Sequence, residues 1–192
     1  MDAASSYEFH ARDFLCGRDK SLIGAQVVER WSRTLRRSAS VIELACGGGY
    51  PITKILVAAG LQLWAVDGSP TLVAEFNSRF PTIPVQCARV QESDFFGREY
   101  DGAIAIGLLF LLSESDQAAL ISRVSEILVP GGRFLFTAPI EIGTWTDMNT
   151  GLGCRSLGRD SYEGLLKVAG FRVVGTHTDK GANNYYDAEK VE

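Results

Sequence analysis

Short apolar runs alternate with amphipathic stretches along most of this chain. The first run, 41–44, leads into three consecutive glycines at 47–49 and then into a stretch with helical spacing over 50–60. A second run, 62–67, is followed by a turn and another helical stretch over 71–80. Short apolar runs bounded by turn residues are typical of buried strands, and apolar residues recurring every three or four positions are typical of helices. The pattern therefore predicts two consecutive strand–loop–helix units.

The same alternation continues towards the C-terminus. Further strands are predicted at 83–88, 101–107, 133–137, 171–176 and 185–191. Further helices are predicted at 21–37, 113–128 and 160–169. Residues 1–18 are predicted to be an irregular arm, and 138–158 a long loop, because neither has a periodic pattern. Strands joined by helices imply right-handed crossovers. We therefore predict a Rossmann-like, doubly wound α/β fold with a mostly parallel seven-stranded sheet, helices on both faces and an antiparallel last strand.

Length, composition and charge narrow the class of protein. With 192 residues, of which 46% are hydrophobic and 22% charged, the chain is expected to form one folded domain over 1–192. Within it, 1–37 would be an N-terminal arm and helix, and 38–192 the Rossmann-like core. A net charge of −4 gives no electrostatic reason to expect nucleic acid or an anionic membrane as a partner. We expect a small-molecule partner, and the sequence leaves the oligomeric state open.

Location and metal binding are judged from the N-terminus and the cysteines. The first twelve residues lack the features of a signal peptide, and the longest apolar run, 103–112, is shorter than the ~20 residues of a membrane-spanning helix. We therefore expect a cytoplasmic protein. The four cysteines are widely scattered and only two histidines are present, so we predict neither a disulfide framework nor a metal site.

Glycine spacing separates the cofactors that such a fold can bind. A dinucleotide loop requires G-x-G-x-x-G, but Ile52 occupies the third glycine position, and no Gly-Lys-Ser/Thr sequence is present. A phosphate ligand is therefore disfavoured. Asp67 ends the second strand and could accept hydrogen bonds from both hydroxyls of a ribose, because a carboxylate is purely an acceptor. A capping role for Asp67 is less favoured, since Ser69 is already placed to cap the next helix.

Several landmarks, in order between residues 41 and 136, resemble the class I S-adenosylmethionine-dependent methyltransferases. The family's acid and glycine loop match Glu43 and 45–49, with Ala45 in place of the first glycine. The acid after the second strand matches Asp67. The remaining matches are Val90-Gln91 after the third strand, Gly107-Leu108 after the fourth and Pro130-Gly131-Gly132 before the fifth. Arg89 stands where the family often has an acid.

The resemblance implies an enzyme that transfers a methyl group from S-adenosylmethionine to a small organic acceptor and releases S-adenosylhomocysteine. The loop 45–49 would hold the methionine end of the cofactor, Asp67 its ribose, and Leu72, Val90 and Gln91 its adenine. The residues expected to bind the cofactor are Arg18, Glu43, Ala45, Cys46, Gly47, Gly49, Asp67, Gly68, Ser69, Leu72, Val90, Gln91, Gly107 and Leu108.

The acceptor side is less well defined by the sequence. Candidates to close over the cofactor are Tyr7, Phe9, Arg12 and Arg18. Candidates to shape the acceptor pocket are Trp145, Asp147, Met148, Asn149 and 181–186. Four residues are possible bases, but for each the interpretation as an ordinary surface residue is favoured, so we assign no catalytic residue: His10, Glu141, His177 and Tyr186. Two alternatives stay open: a cofactor-binding module that acts through a protein partner without methyl transfer, and an NAD-dependent reductase, which Ile52 disfavours.

Overall fold

The computed structural model describes residues 2–191, and a seven-stranded sheet forms its centre. The strands of this sheet are β1 Ser40–Leu44, β2 Gln62–Asp67, β3 Val85–Cys87, β4 Tyr100–Ala105, β5 Leu128–Thr137, β8 Phe171–Thr178 and β9 Asn184–Lys190. The two other strands, β6 Ile142–Thr146 and β7 Gly153–Leu157, pair with each other in a separate antiparallel hairpin. Met1 and Glu192, the ends of the predicted domain, lie outside the described residues.

The sheet has the order β3-β2-β1-β4-β5-β9-β8. Strands β1 to β5 run parallel to one another, and β9 is antiparallel to both of its neighbours. The predicted Rossmann-like fold, with seven mostly parallel strands and an antiparallel last strand, is therefore confirmed.

Helices cover both faces of the sheet. The α-helices within residues 2–191 are α1 Ala3–Phe9, α2 Ala11–Arg18, α3 Ala25–Ser32, α4 Ile52–Ala58, α5 Pro70–Arg79, α6 Glu114–Ile127 and α7 Arg159–Val168. Residues of α3 and α4 pack with Val41 and Leu63 of one sheet face, whereas α6 and α7 pack with Ile42 and Leu44 of the other. Burial on both faces explains why these strands are unbroken apolar runs in the sequence. No helix within residues 2–191 is long and apolar enough to cross a membrane.

A glycine in β4 allows α3 to approach the sheet closely. A Cβ atom at Gly102 would lie 3.2 Å from a ring carbon of Trp31 and 3.3 Å from a methyl carbon of Leu35. Trp31 is one of the largest fully buried side chains in the protein. Since apolar burial contributes about 25 cal/mol per Å² removed from water, this contact is a substantial part of the packing between α3 and the sheet.

Two predictions of irregular structure are wrong. The described part of the predicted arm, 2–18, contains α1 and α2, and the predicted loop 138–158 contains the β6–β7 hairpin. Neither feature produces a recognisable pattern. All five residues of β6 are exposed, and α1 and α2 each have one fully buried residue, so these elements lack the regular apolar positions that mark a core helix or strand. The helix predicted at 21–37 is also shorter, since α3 covers only 25–32.

Candidate active site

A cavity of about 790 Å³ opens at the carboxyl ends of β1, β2 and β4. Strand order reverses between β1 and β4, because β2 and β3 lie on one side of β1 while β4 and β5 lie on the other. Ligands of doubly wound sheets bind at such a reversal. Ligand sites commonly have volumes of about 300–1,000 Å³, so this cavity can hold a small-molecule ligand.

The loop after β1 forms the floor of the cavity, and its backbone requires glycine. Gly47 has φ +57° and Gly49 has φ +81°, in the left-handed region that glycine adopts without steric cost. Close packing adds a second constraint. A Cβ atom at Gly48 would lie 2.4 Å from a methyl carbon of Leu15 in α2, and one at Gly49 would lie 2.4 Å from the ring of Phe80. Side chains therefore press on this loop from two sides.

Ala45 also has a left-handed backbone, with φ +57°. It lines the cavity at the position where the resemblance expects the first glycine of the loop. An L-residue in this conformation is disfavoured by about 1–2 kcal/mol, because its Cβ approaches the backbone carbonyl oxygen. The loop thus keeps the geometry of a glycine at this position even though an alanine occupies it.

The Asp67 carboxylate joins the glycine loop to the turn after β2. The Gly47 N–H donates to Oδ2 at 2.8 Å, and the Ser69 N–H donates to Oδ1 at 2.9 Å. Burial raises the pKa of Asp67, while these backbone donors act in the opposite direction. Asp67 lines the cavity, and each carboxylate oxygen can accept more than one hydrogen bond, so both oxygens can also accept from a ligand.

A second buried acid, Glu43, lies in the cavity wall at the end of β1. The Thr53 hydroxyl in the first turn of α4 donates to Glu43 Oε2 at 2.6 Å. Burial raises the pKa of Glu43 to about 8, and the nearby Asp67 charge raises it too, whereas Thr53 and the Arg18 guanidinium lower it. Glu43 is therefore poised to lose a proton when a cation arrives beside it.

Helices α1 and α2 form a roof over the cavity. Glu8 in α1 accepts from the Thr71 N–H at 3.0 Å and the Thr71 hydroxyl at 2.7 Å, and the Ser69 hydroxyl also donates to it. These bonds hold α1 at the N-terminal end of α5, where a negative charge is favourable. In α2, both terminal nitrogens of Arg18 donate to the Ile23 carbonyl at 3.2 Å. Arg18 lines the cavity, and burial lowers its pKa.

Most of the residues predicted to bind the cofactor meet at this cavity. Those that line it are Arg18, Glu43, Ala45, Cys46, Gly47, Asp67, Gly68, Leu72, Val90, Gln91, Gly107 and Leu108. Gly49 and Ser69 are not among the lining residues. Gly49 packs against Phe80, and the Ser69 hydroxyl caps α5 by accepting from the Leu72 N–H at 3.2 Å. Gly49 thus shapes the loop and Ser69 holds Asp67 in place, and direct contact of either residue with a ligand stays a prediction.

The candidates for closing the site divide in the same way. Tyr7 and Arg18 line the cavity, but Phe9 and Arg12 do not, and Phe9 is 79% exposed. None of the four candidate bases lines it. His10 lies between α1 and α2, Glu141 is exposed, His177 lies 3.9 Å from Asp187, and Tyr186 stacks on Phe136.

On the acceptor side, Asp147, Asn149, Asn183 and Tyr185 line the cavity as expected. Trp145 and Met148 do not: Trp145 packs against Phe110 from outside, and Met148 is 98% exposed. The lining residues that the sequence analysis missed include Phe14, Ile23, Phe110 and Thr137. Thr137 had a usable signal, because it ends a parallel strand, and its hydroxyl accepts from the Gly107 N–H at 2.7 Å.

Comparison with known proteins agrees with this geometry. Residues 41–132 match a family model described as a methyltransferase domain. A probable S-adenosylmethionine-dependent methyltransferase of Mycolicibacterium smegmatis is 27% identical over 141 residues, which are 71% of this chain and 53% of that protein. The probable S-adenosylmethionine-dependent methyltransferase Rv3030 of Mycobacterium tuberculosis is 29% identical over 137 residues, 68% of this chain and 48% of that protein. By these matches the chain is similar to S-adenosylmethionine-dependent methyltransferases.

Solved structures share the fold of this chain. The Burkholderia thailandensis 1,6-didemethyltoxoflavin-N1-methyltransferase has a TM-score of 0.71 and 21% identity, and the match covers 100% of this chain and 92% of that one. The glycopeptide N-methyltransferase MtfA has a TM-score of 0.72 and 18% identity, with 88% and 97% covered. The chain spans about half the length of the curated relatives it matches.

The backbone of Ala45 leads to a stability prediction. Ala45→Gly should leave the free energy of unfolding unchanged or raise it by up to about 1 kcal/mol, because glycine removes the steric cost of positive φ. The control is Ala119→Gly at an exposed position within α6, which should lower the free energy of unfolding by about 1 kcal/mol. Urea unfolding measures both changes. Equal losses in the two variants would contradict the prediction.

The raised pKa of Glu43 leads to a second prediction about stability. The folded state holds a proton that the unfolded chain releases near pH 4.5, so the stability due to this group is present below that pH and is lost as pH rises through about 8. Glu43→Gln removes this titration. Relative to the variant, the wild-type protein should therefore lose up to about 1.4 kcal/mol per pH unit over that range in urea unfolding.

The matched control is Glu126→Gln, which changes an exposed glutamate at the end of α6. Glu43 is intact in this variant, so the loss of stability with rising pH should persist in it. A difference between Glu43→Gln and the wild-type protein that stays constant with pH would contradict the assignment of a proton to buried Glu43.

Proposed function

We propose that this chain binds S-adenosylmethionine in the cavity, transfers its methyl group to a small organic acceptor and releases S-adenosylhomocysteine. One observation carries the proposal. The cavity extends without interruption from Asp67 and the glycine loop to Tyr7, Asp147 and Tyr185. A protein that only bound the cofactor would not need this second part, so the continuous cavity favours methyl transfer over the alternative of a binding module.

The described residues fit the nucleoside half of the cofactor. In this proposal Asp67 accepts hydrogen bonds from the ribose hydroxyls, and Leu72 and Val90 contact the two faces of the adenine. Both side chains are nearly buried and line the cavity. Gln91 reads the edge of the ring, and its amide already donates to Asp116 Oδ2 at 3.2 Å, which orients it.

The methionine half fits between Glu43 and Arg18. The Arg18 guanidinium donates to one carbonyl oxygen in this structure and has further N–H groups to bind a carboxylate. Glu43 supplies a negative charge for the cofactor's ammonium group. A ligand with both charges satisfies two partly buried groups that otherwise have few partners.

Backbone donors that could bind phosphate are largely used within the protein. The Gly47 N–H donates to Asp67, the Gly49 N–H to the Cys46 carbonyl at 3.0 Å, and the Cys46 N–H to the Val66 carbonyl at 3.2 Å. Phosphate sites at glycine loops require free N–H groups. Glu43 also lies beside the first turn of α4, where a pyrophosphate would rest. These contacts, together with Ile52, disfavour an NAD-dependent reductase.

Methyl transfer from a sulfonium needs alignment more than it needs a catalytic triad. The bound cofactor supplies an activated methyl group. The protein's residues hold both molecules in line and exclude water, which α1 and α2 do from above the cavity. A small-molecule partner, a single domain over 1–192 and a cytoplasmic location belong to this proposal as well, supported by the net charge of −4 and by the size of the cavity.

The experiment that tests this function is calorimetry with S-adenosylhomocysteine. Asp67→Asn removes one of the two carboxylate acceptors, so it should weaken binding by about 1.5–3 kcal/mol, or about 10–150-fold. The exposed Asp160→Asn in α7 is the control and should bind like the wild-type protein. Absence of binding by the wild-type protein at millimolar ligand would overturn the proposal.

A further inference from the structure

We propose that the methyl acceptor is an amine, and that Asp147 selects it. This inference rests on the proposed methyl transfer and specifies the acceptor for the same cavity. It starts from three side chains that line the cavity and lie close to one another: Tyr7 on α1, and Asp147 and Asn149 on the loop between β6 and β7.

The β6–β7 loop fixes the position of the Asp147 carboxylate. The Asp147 N–H donates to the Leu152 carbonyl at 2.7 Å, and the Gly151 N–H donates to the Asp147 carbonyl at 2.8 Å. Thr150 donates to Oδ2 from its N–H at 3.0 Å and from its hydroxyl at 2.5 Å. These two bonds fall on one carboxylate oxygen, which leaves Oδ1 to accept from the neighbouring Tyr7 hydroxyl and from a ligand. Asp147 is only 9% exposed and lines the cavity.

Tyr7, on α1, lies beside the Asp147 carboxylate and the Asn149 amide. Its ring packs edge-on against Phe14 at a centroid distance of 5.2 Å, which orients the side chain. Burial and the Asp147 carboxylate raise the pKa of the Tyr7 hydroxyl, so the hydroxyl keeps its proton at neutral pH. An amine bound beside α1 and the β6–β7 loop would therefore meet the Asp147 carboxylate, the neutral Tyr7 hydroxyl and the Asn149 amide.

Charge determines which kind of acceptor this arrangement accepts. The acceptor end of the cavity is lined by residues within 106–113, 137, 147–153, 183 and 185. Among these described residues, Asp147 is the one with a charged side chain. The two arginines that line the cavity have other partners: Arg89 pairs with Asp2 at 2.6 Å, whereas Arg18 lies near Tyr185, donates to the Ile23 carbonyl and, in the proposed function, binds the cofactor's carboxylate. A buried carboxylate without a nearby cation is unfavourable, so a protonated amine is attracted and an acidic acceptor is repelled.

Asp147 also provides a route for the proton that the reaction releases. The ammonium group of the acceptor gives a proton to the Asp147 carboxylate, which leaves a lone pair on nitrogen. That lone pair forms the new N–CH₃ bond while the S–CH₃ bond breaks and its electrons return to sulfur. The products are the N-methylated acceptor, in its protonated form, and S-adenosylhomocysteine. Asp147 passes its proton to solvent at the exposed rim beside Asn149.

The test compares acceptors that share a skeleton. Phenylethyl, indolylethyl and butyl compounds, each as the amine, the alcohol and the carboxylate, suit a cavity end lined by Phe110 and Leu152. Binding to the protein saturated with S-adenosylhomocysteine is measured by ligand-observed NMR, and transfer by label from methyl-tritiated S-adenosylmethionine. We expect amines to bind at least about tenfold more tightly than their counterparts and to accept the label. Binding that favours alcohols or carboxylates, or no binding of any amine, overturns the inference.

A conservative variant tests the part played by Asp147. Asp147→Asn keeps a carbonyl oxygen for the Thr150 bonds but removes the charge. It should lower kcat/KM for the best amine by about tenfold or more and abolish the preference over the alcohol, while the Kd for S-adenosylhomocysteine changes by less than about twofold. Asp160→Asn should change neither value. An unchanged amine preference in Asp147→Asn overturns the role of this carboxylate.

Calorimetry on the same samples separates the two levels of the proposal. If the wild-type protein does not bind S-adenosylhomocysteine, the proposed methyl transfer itself fails. If the cofactor product binds but amines are not preferred, only the acceptor inference fails.

Discussion

The two hydrogen bonds to the Asp67 carboxylate are the interaction on which the site depends. One comes from the glycine loop after β1 and the other from the turn after β2, so a single side chain fixes the separation of the two loops that form the cavity floor. These bonds also determine what the floor can bind. Because the N–H groups of Cys46, Gly47 and Gly49 bond within the protein, the surface offered to a ligand is rich in acceptors, which suits hydroxyl groups and cations better than phosphates.

The charges around this floor agree with that conclusion. Glu43 and Asp67 are both buried, and burial disfavours the charged form of each carboxyl group. The charge on Asp67 further disfavours the charged form of Glu43. Arg18 is the nearby cation, and it too is partly desolvated. A ligand that carries a sulfonium, an ammonium and a carboxylate would provide partners for all three groups. Such a ligand therefore offsets the cost of burying these charges, which an anionic nucleotide would not do.

The sequence predicted the sheet and the cavity floor well, because both are linked to burial. Strands covered on two faces must be apolar throughout, and a loop compressed between Leu15 and Phe80 must contain glycine. The roof could not be predicted in this way. Helix α1 faces the cavity with Ala3, Ala4 and Tyr7. A Cβ atom at Gly68 would lie only 2.5 Å from the Cβ atom of Ala4. Small residues packed against a glycine give no apolar periodicity. In the sequence, a helix that packs closely on the site therefore has the same pattern as an irregular arm.

The same reasoning explains why acceptor recognition is the least predictable part of the protein. Tyr7 and Asp147 are 140 residues apart in the chain and approach each other because α1 is held by Glu8 on α5, while the β6–β7 hairpin projects from the end of β5. Neither element contributes much to the core, so neither is constrained by the patterning that makes strands and core helices recognisable. Their side chains are consequently free to match an acceptor. Within this fold, the features that set specificity are those that leave the weakest trace in hydrophobic periodicity.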